Sequence, residues 1–349
     1  MDNVIKNIFV TDTLATYSTQ YLSMNITNIN STTYYRVSPT MLVYNIALNN
    51  IFDLKLGESI SMTLFIYIIE KLALIKQSKK NLSNNKIIEI ILKCIIKYIK
   101  KYDFTGKVIN NHIKRYYDFA NNTNYDMTIN DPLFMEIALI ISFMAIDIDH
   151  LLELLTMFSL KITSNSIKIL SFISLGILCY FSINNNDDLF KIEKWIDRLL
   201  DLFIDNKIDK YLPCSISVSD KKLFLFMLIK YISLDKNYIS ELPHDRIKLL
   251  NECFCTNIEN TELFIPGMTS DQIFILSYDF AVKSSNWSQI MAFNCLTYHE
   301  LIHINLFSSW FYFILNKNEK MYTRFNIVEN IYGLNDFIHL IDLLYNKSI

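Results

Sequence analysis

The sequence is short of the two residues that punctuate most folds. Glycine and proline occur only 5 times each in 349 residues, far below ordinary usage. Several β-turn types need glycine at positive φ, and phosphate-cradling loops need it for close backbone approach to the ligand. The shortage therefore argues against a sheet-rich or P-loop architecture and for helices joined by short connections. Paired cysteines are missing too. The 6 cysteines, Cys94, Cys179, Cys214, Cys253, Cys255 and Cys295, are scattered with no Cys-x-x-Cys among them, which leaves a zinc ribbon or thioredoxin-type site unsupported. A reducing, cytoplasmic setting is the expectation. Charge of one sign is also lacking. A net charge of -2 gives none of the basic footprint that nucleic acid requires.

Long hydrophobic spans are absent as well. The most apolar run, Ile169 to Ile183, is closed by Lys168 and by Asn184-Asn185-Asn186. It falls short of the roughly 20 residues of a bilayer span and reads as a buried core helix. The run from Leu133 to Ile148 is interrupted by Glu136. The opening MDNVIKNIFVTDTL has no charged n-region followed by an apolar h-region, so no secretory signal is expected. Sequons such as Asn81 and Asn286 then carry no meaning. No membrane and no nucleic acid are expected as partners.

What is present is apolar bulk: 51% hydrophobic against 19% charged residues, enough for a large core. Helical periodicity predicts helices over 1–24, 41–52, 57–75, 87–102, 132–146, 149–160, 166–183, 187–203, 219–232, 270–284, 288–316 and 328–344. Pro132 suits a first helical turn and Ser219 an N-cap. Residues 103–131 read as an irregular polar and aromatic lobe, and 235–268 as a mixed connection. No Pro/Gly/Ser-rich linker and no internal repeat occur, so the expectation is all-α, one domain over 1–349 with about ten to twelve helices. His112, His150, His244 and His339 read as solvated or capping, Trp195 and Trp287 as core anchors, and the lysine clusters 76–80 and 97–101 as solvated helix ends.

One motif carries explicit chemistry. His299-Glu300-Leu301-Ile302-His303 puts two imidazoles four residues apart on one helical face with a glutamate between them, the arrangement of zinc-peptidase helices. Such a site needs a third protein ligand and an open position for water. Glu319 and Glu329 lie downstream, but no glycine turn or further histidine accompanies them. The helix around the motif is apolar on every side, through Leu301, Ile304, Leu306, Phe307 and Phe311, as a core helix would be.

A second set of segments runs in order along nearly the whole chain. Thr11-Asp12-Thr13-Leu14-Ala15-Thr16-Tyr17, Gly57-Glu58-Ser59-Ile60-Ser61-Met62-Thr63-Leu64, Asn130-Asp131-Pro132, Thr163-Ser164-Asn165-Ser166 and the stretch from Asn286-Trp287 to Trp310 resemble the motifs of the ADP-ribosylglycohydrolase family, closest to its ADP-ribosylarginine hydrolase branch. The resemblance implies an all-α domain with a central pocket in which two magnesium ions sit against ADP-ribose. On this chain the implied remnant pocket comprises Asp12, Glu58, Ser59, Asn130, Asp131, Asn165 and Glu300. Counted from Trp287, Glu300 stands at the first metal aspartate of the family's Gly-Gly-Asp-x-Asp segment and Ile302 at the second; counted back from Trp310 the register shifts by one residue.

The departures bear on chemistry. Magnesium wants near-octahedral oxygen coordination, and two neighbouring dications need several anionic ligands to offset their repulsion. Here Ile60 and Ile302 bring methyl groups where ligands belong, and Tyr298-His299 replace the glycines that let backbone approach closely. The leading expectation is a catalytically degenerate member acting as a binding or scaffold protein, with ADP-ribose or an ADP-ribosylated protein as its ligand and no cofactor. Two alternatives stand: a residual ADP-ribosylarginine hydrolase that keeps Mg2+, and a zinc metallopeptidase whose metal ligands are drawn from His299, Glu300 and His303. A single metal held by those three residues inside the old pocket is intermediate between them.

Overall fold

The computed structural model describes residues 3–9, 11–12, 60–77, 82–101, 134–184, 194–214, 216–235, 246, 249–255, 269–287, 289–290, 302–317 and 334–345. Residues 3–9 and 11–12 are helical. Ten longer helices follow: α1 Ile60–Gln77, α2 Asn84–Lys101, α3 Glu136–Met144, α4 Ile148–Ile162, α5 Ser166–Asn184, α6 Trp195–Ile204, α7 Val218–Asp235, α8 Ser270–Lys283, α9 Ile302–Leu315 and α10 Leu334–Tyr345. No strand occurs among the described residues. The expected all-α class is the observed one.

The architecture is built around α5. It packs against α3, α4, α6, α7, α8 and α9, and sixteen of its side chains, from Ser166 to Ile183, are buried. By length and composition α5 could cross a membrane, yet 83% of that span is covered by the rest of the protein. Its apolar run is the core helix that its polar boundaries suggested. Close packing here needs Gly176, where an added Cβ would lie 2.5 Å from Cδ1 of Leu155 on α4. Ser142 of α3 ties in from another side, donating to the Gly176 carbonyl at 2.9 Å.

A second layer joins the chain ends. Helix α10 packs on α1 and α3, with Phe337 edge-on to Phe9 at 5.1 Å and 6.1 Å from the Phe65 ring. Lys76 donates to the Leu344 carbonyl at 2.9 Å, supplying a cation to the last turn of α10, where helix carbonyls lack partners. The lysine at the head of the 76–80 cluster is thus a half-buried capping group, and burial lowers its pKa. The apolar side chains of all ten helices and of the N-terminal segment form one connected core.

Helix starts follow local chemistry. Asp147 caps α4 by accepting from the His150 amide at 2.8 Å, while the His150 ring takes the Ile146 amide at 3.2 Å and meets Asn84 at 2.9 Å. His150 is therefore a capping histidine, and His339 is exposed. At α7 the cap is Ser217, whose hydroxyl accepts from the Asp220 amide at 3.0 Å. The expected cap, Ser219, sits inside the first turn. A cap must itself be non-helical, and the turn preceding α7 ends two residues earlier than the apolar pattern showed. Trp195 and Trp287 are both core anchors. The expected helix 41–52, the lobe 103–131, His112 and His244 lie outside the described residues, as do 187–193 and 291–301 of the expected helices 187–203 and 288–316.

Candidate functional site

Of the residues assigned to a remnant pocket, Asp12 and Asn165 are described; Glu58, Ser59, Asn130, Asp131, His299 and Glu300 lie outside the described residues. His303 is the second residue of α9, so its backbone is in the first helical turn. Ile60 is the first described residue of α1 and Ile302 that of α9, and these two helices pack on each other.

Two motif segments far apart in sequence meet directly. The indole Nε1 of Trp287 donates to Thr11 Oγ1 at 3.1 Å across 276 residues of sequence, and Thr11 Oγ1 in turn donates to the Asn7 carbonyl at 2.8 Å. Asp12, the next residue, is buried. This places one carboxylate in a low-dielectric setting beside the contact of the N-terminal helix with Trp287. A carboxylate so placed requires compensation by hydrogen bonds or positive charge.

The other described motif residues have structural work. Asn165 caps α5: its Oδ1 accepts from the Lys168 amide at 3.0 Å, while its own amide donates to Thr163 Oγ1 at 3.1 Å. In the Met62-Thr63-Leu64 tail, Met62 and Leu64 are buried and the Thr63 hydroxyl pairs with Tyr98 of α2. Trp310 donates to Ser182 Oγ at 2.7 Å and meets Phe143 edge-on at 5.4 Å. On α9, Ile304 and every residue from Leu306 to Ile314 are buried. That is the all-round apolar surface of a core helix. Among the described residues no group of three His, Cys, Asp or Glu side chains could hold a metal.

Sequence reasoning missed several buried charges. Glu136, in the first turn of α3, and Lys168, in the first turn of α5, are both buried. Glu136 had registered only as an interruption of one apolar run and Lys168 only as the boundary of another. Their signal was available, because a charge inside such a run must be compensated once the run is buried. Asp279 on α8 is the clearest case. Arg246 grips it with Nε to Oδ2 at 2.9 Å and Nη2 to Oδ1 at 2.5 Å, and the Tyr231 hydroxyl adds a third bond to Oδ1 at 2.9 Å. Asp271, in the first turn of α8, accepts the Cys255 amide at 2.9 Å. These bonds fasten α7 and the 246–255 segment onto α8. The fork geometry of Arg246 fits a carboxylate bidentately, so the arrangement is a clamp between the two residues.

Comparison with known proteins adds no assignment: no family model matches the chain, and no curated protein matches it.

Proposed function

We propose that this chain is a catalytically degenerate ADP-ribosylglycohydrolase-like protein that acts by binding or scaffolding rather than by hydrolysis. The observation that carries the reading is the identity of residues 60 and 302, on α1 and α9. Ile60 and Ile302 stand where the resemblance calls for oxygen ligands, and a hydrocarbon side chain can neither coordinate magnesium nor offset the repulsion between two dications. The residues present do not fit a two-metal centre. Asn165 supports the same reading, since its side-chain oxygen is committed to capping α5. ADP-ribose, free or on a protein, is the ligand the remnant pocket would take.

Calorimetric titration of ADP-ribose into the purified protein with magnesium, run beside an assay for release of ADP-ribose from modified arginine, tests this. The expected result is no release, with one-to-one binding if the pocket persists and none if scaffolding alone remains. Sustained release at catalytic enzyme concentrations overturns the proposal. The buried surroundings of α9 support a core helix over a peptidase cleft wall. Zinc copurifying at one equivalent, and lost on His303→Ala, would reverse that preference.

A further inference from the structure

Helix α7 carries no motif of the remnant pocket, and one of its faces gathers several exposed apolar side chains. Phe224, Met227, Leu228 and Tyr231 are buried against the core. On the opposite side Leu223, Phe226 and Ile229 are 46%, 54% and 47% exposed, and Val218 at the helix start is 71% exposed. At about 100° per residue, Phe226 is the centre of this face, with Leu223 and Ile229 diagonally to either side. Lys222 and Lys230, both exposed, lie one turn above and one turn below Phe226 in the same column. Lys230 also sits 5.0 Å from the Phe226 ring centre, so its charge borders the apolar stripe. Ser219 and Ser233 complete the face; no acidic residue of α7 falls within it, and Lys230 Nζ also donates to the Glu252 carbonyl at 3.2 Å.

We propose that this face of α7 docks an amphipathic helix of another protein, with apolar residues over Leu223, Phe226 and Ile229 and carboxylates opposite Lys222 and Lys230. Charge selects the occupant. The two lysines are eight residues apart, a spacing of about 12 Å along the helix, and a partner helix with acidic residues two turns apart around an apolar centre matches them. A second copy of this chain does not. Pairing α7 antiparallel to itself about Phe226 sets Lys222 against Lys230, and parallel pairing sets each lysine against its own copy; like charges so placed are unfavourable.

The test is a selection from a displayed library of helical peptides in which the positions flanking an apolar centre are randomised among Glu, Gln and Lys. The full-length protein is the target, and Phe226→Asp, confirmed folded by circular dichroism, is used for subtraction. Enrichment of Glu at both flanks is expected, with affinity falling at least tenfold on Phe226→Asp. Lys222→Glu/Lys230→Glu should invert the preference towards Lys-flanked peptides. Enrichment of Lys or Gln flanks, or no enrichment over the subtracted target, overturns the proposal. So does Phe226-dependent binding to phosphatidylserine vesicles or Phe226-dependent dimerisation in sedimentation, without peptide selection. The outcome is independent of the ADP-ribose titration, so this surface and the pocket reading can fail separately.

Discussion

Asp279 shows how much one residue can hold in this protein. Its carboxylate receives three hydrogen bonds from Arg246 and Tyr231, and both ends of the ion pair are out of solvent. Breaking a buried pair by removing one partner leaves an uncompensated charge and costs about 3–5 kcal/mol. Asp279→Ala should lose that much in urea unfolding, whereas Arg246→Met/Asp279→Leu should recover most of it. A double variant no better than the single would show that the clamp's value lies in its hydrogen bonds to Tyr231 rather than in mutual neutralisation. Nearby, burial pushes the Cys253 thiol up to about 11. The unfolded thiol ionises near ~8.5, so between these values the folded chain holds a proton that the unfolded chain has released. Stability from this group is complete below the unfolded pKa and drains away as pH rises through the folded one. Cys253→Ala should therefore flatten the decline of the urea midpoint between pH 8.5 and 10.5. Among the described cysteines Cys214 is exposed while Cys94, Cys179 and Cys253 are buried. Iodoacetamide should label Cys214 well before those three, as peptide mass spectrometry would show.

At the scale of elements, the sequence was most readable where periodicity and boundary chemistry agreed. Helix α5 starts at its expected residue because Asn165 caps it, and it runs at least to Asn184. Helices α1, α2, α4, α7, α8 and α10 were foreseeable from their apolar spacing, with the starts of α2, α4 and α7 displaced by one to three residues. The displacements have a cause, since caps and not apolar residues define where a helix begins, as Ser217 does for α7. Gly176 was not readable at all. Nothing in its neighbourhood marks a turn, and its reason is the Leu155 side chain on another helix. Three atoms of that leucine lie within 3.2 Å of the position of an added Cβ, and Leu155 is itself fully buried. Gly176→Ala gains helix propensity of about 1 kcal/mol but forces Leu155 into a packed core, an overpacking cost of about 1–3 kcal/mol. Net destabilisation of Gly176→Ala in thermal melts is expected, with Leu155→Val relieving it in the double variant. A stabilised Gly176→Ala would mean that α4 shifts freely along α5.

For the molecule as a whole, the candidate site was the least readable feature, and the reason is physical. Motif identity states which side chains are present, but their environment decides their use. Thr11 and Trp287 were assigned to different motifs, and only the fold joins them in one hydrogen bond. Asn165, assigned to the remnant pocket by its motif, also caps α5, which the motif does not reveal. Fold class, by contrast, followed from scarcity of glycine and proline together with helical spacing, which are properties of the whole chain and insensitive to any one position. That difference leads to a test of the whole. A chain of 349 residues exceeds the size at which single-step unfolding is usual. Yet its core is one cluster running from Val4 to Leu344, and Phe337 holds three parts of the chain together through Phe9 and Phe65. Phe337→Ala removes a buried aromatic ring, at a cost of about 3–5 kcal/mol. If the core acts as one body, that loss lowers a single transition, and the far-ultraviolet and near-ultraviolet dichroism curves move down together and stay superimposed. Early loss of near-ultraviolet signal with helicity retained would instead mean that the layer formed by the N-terminal segment, α1 and α10 opens before α5 and its neighbours, so that the two layers are separate folding units sharing one apolar boundary.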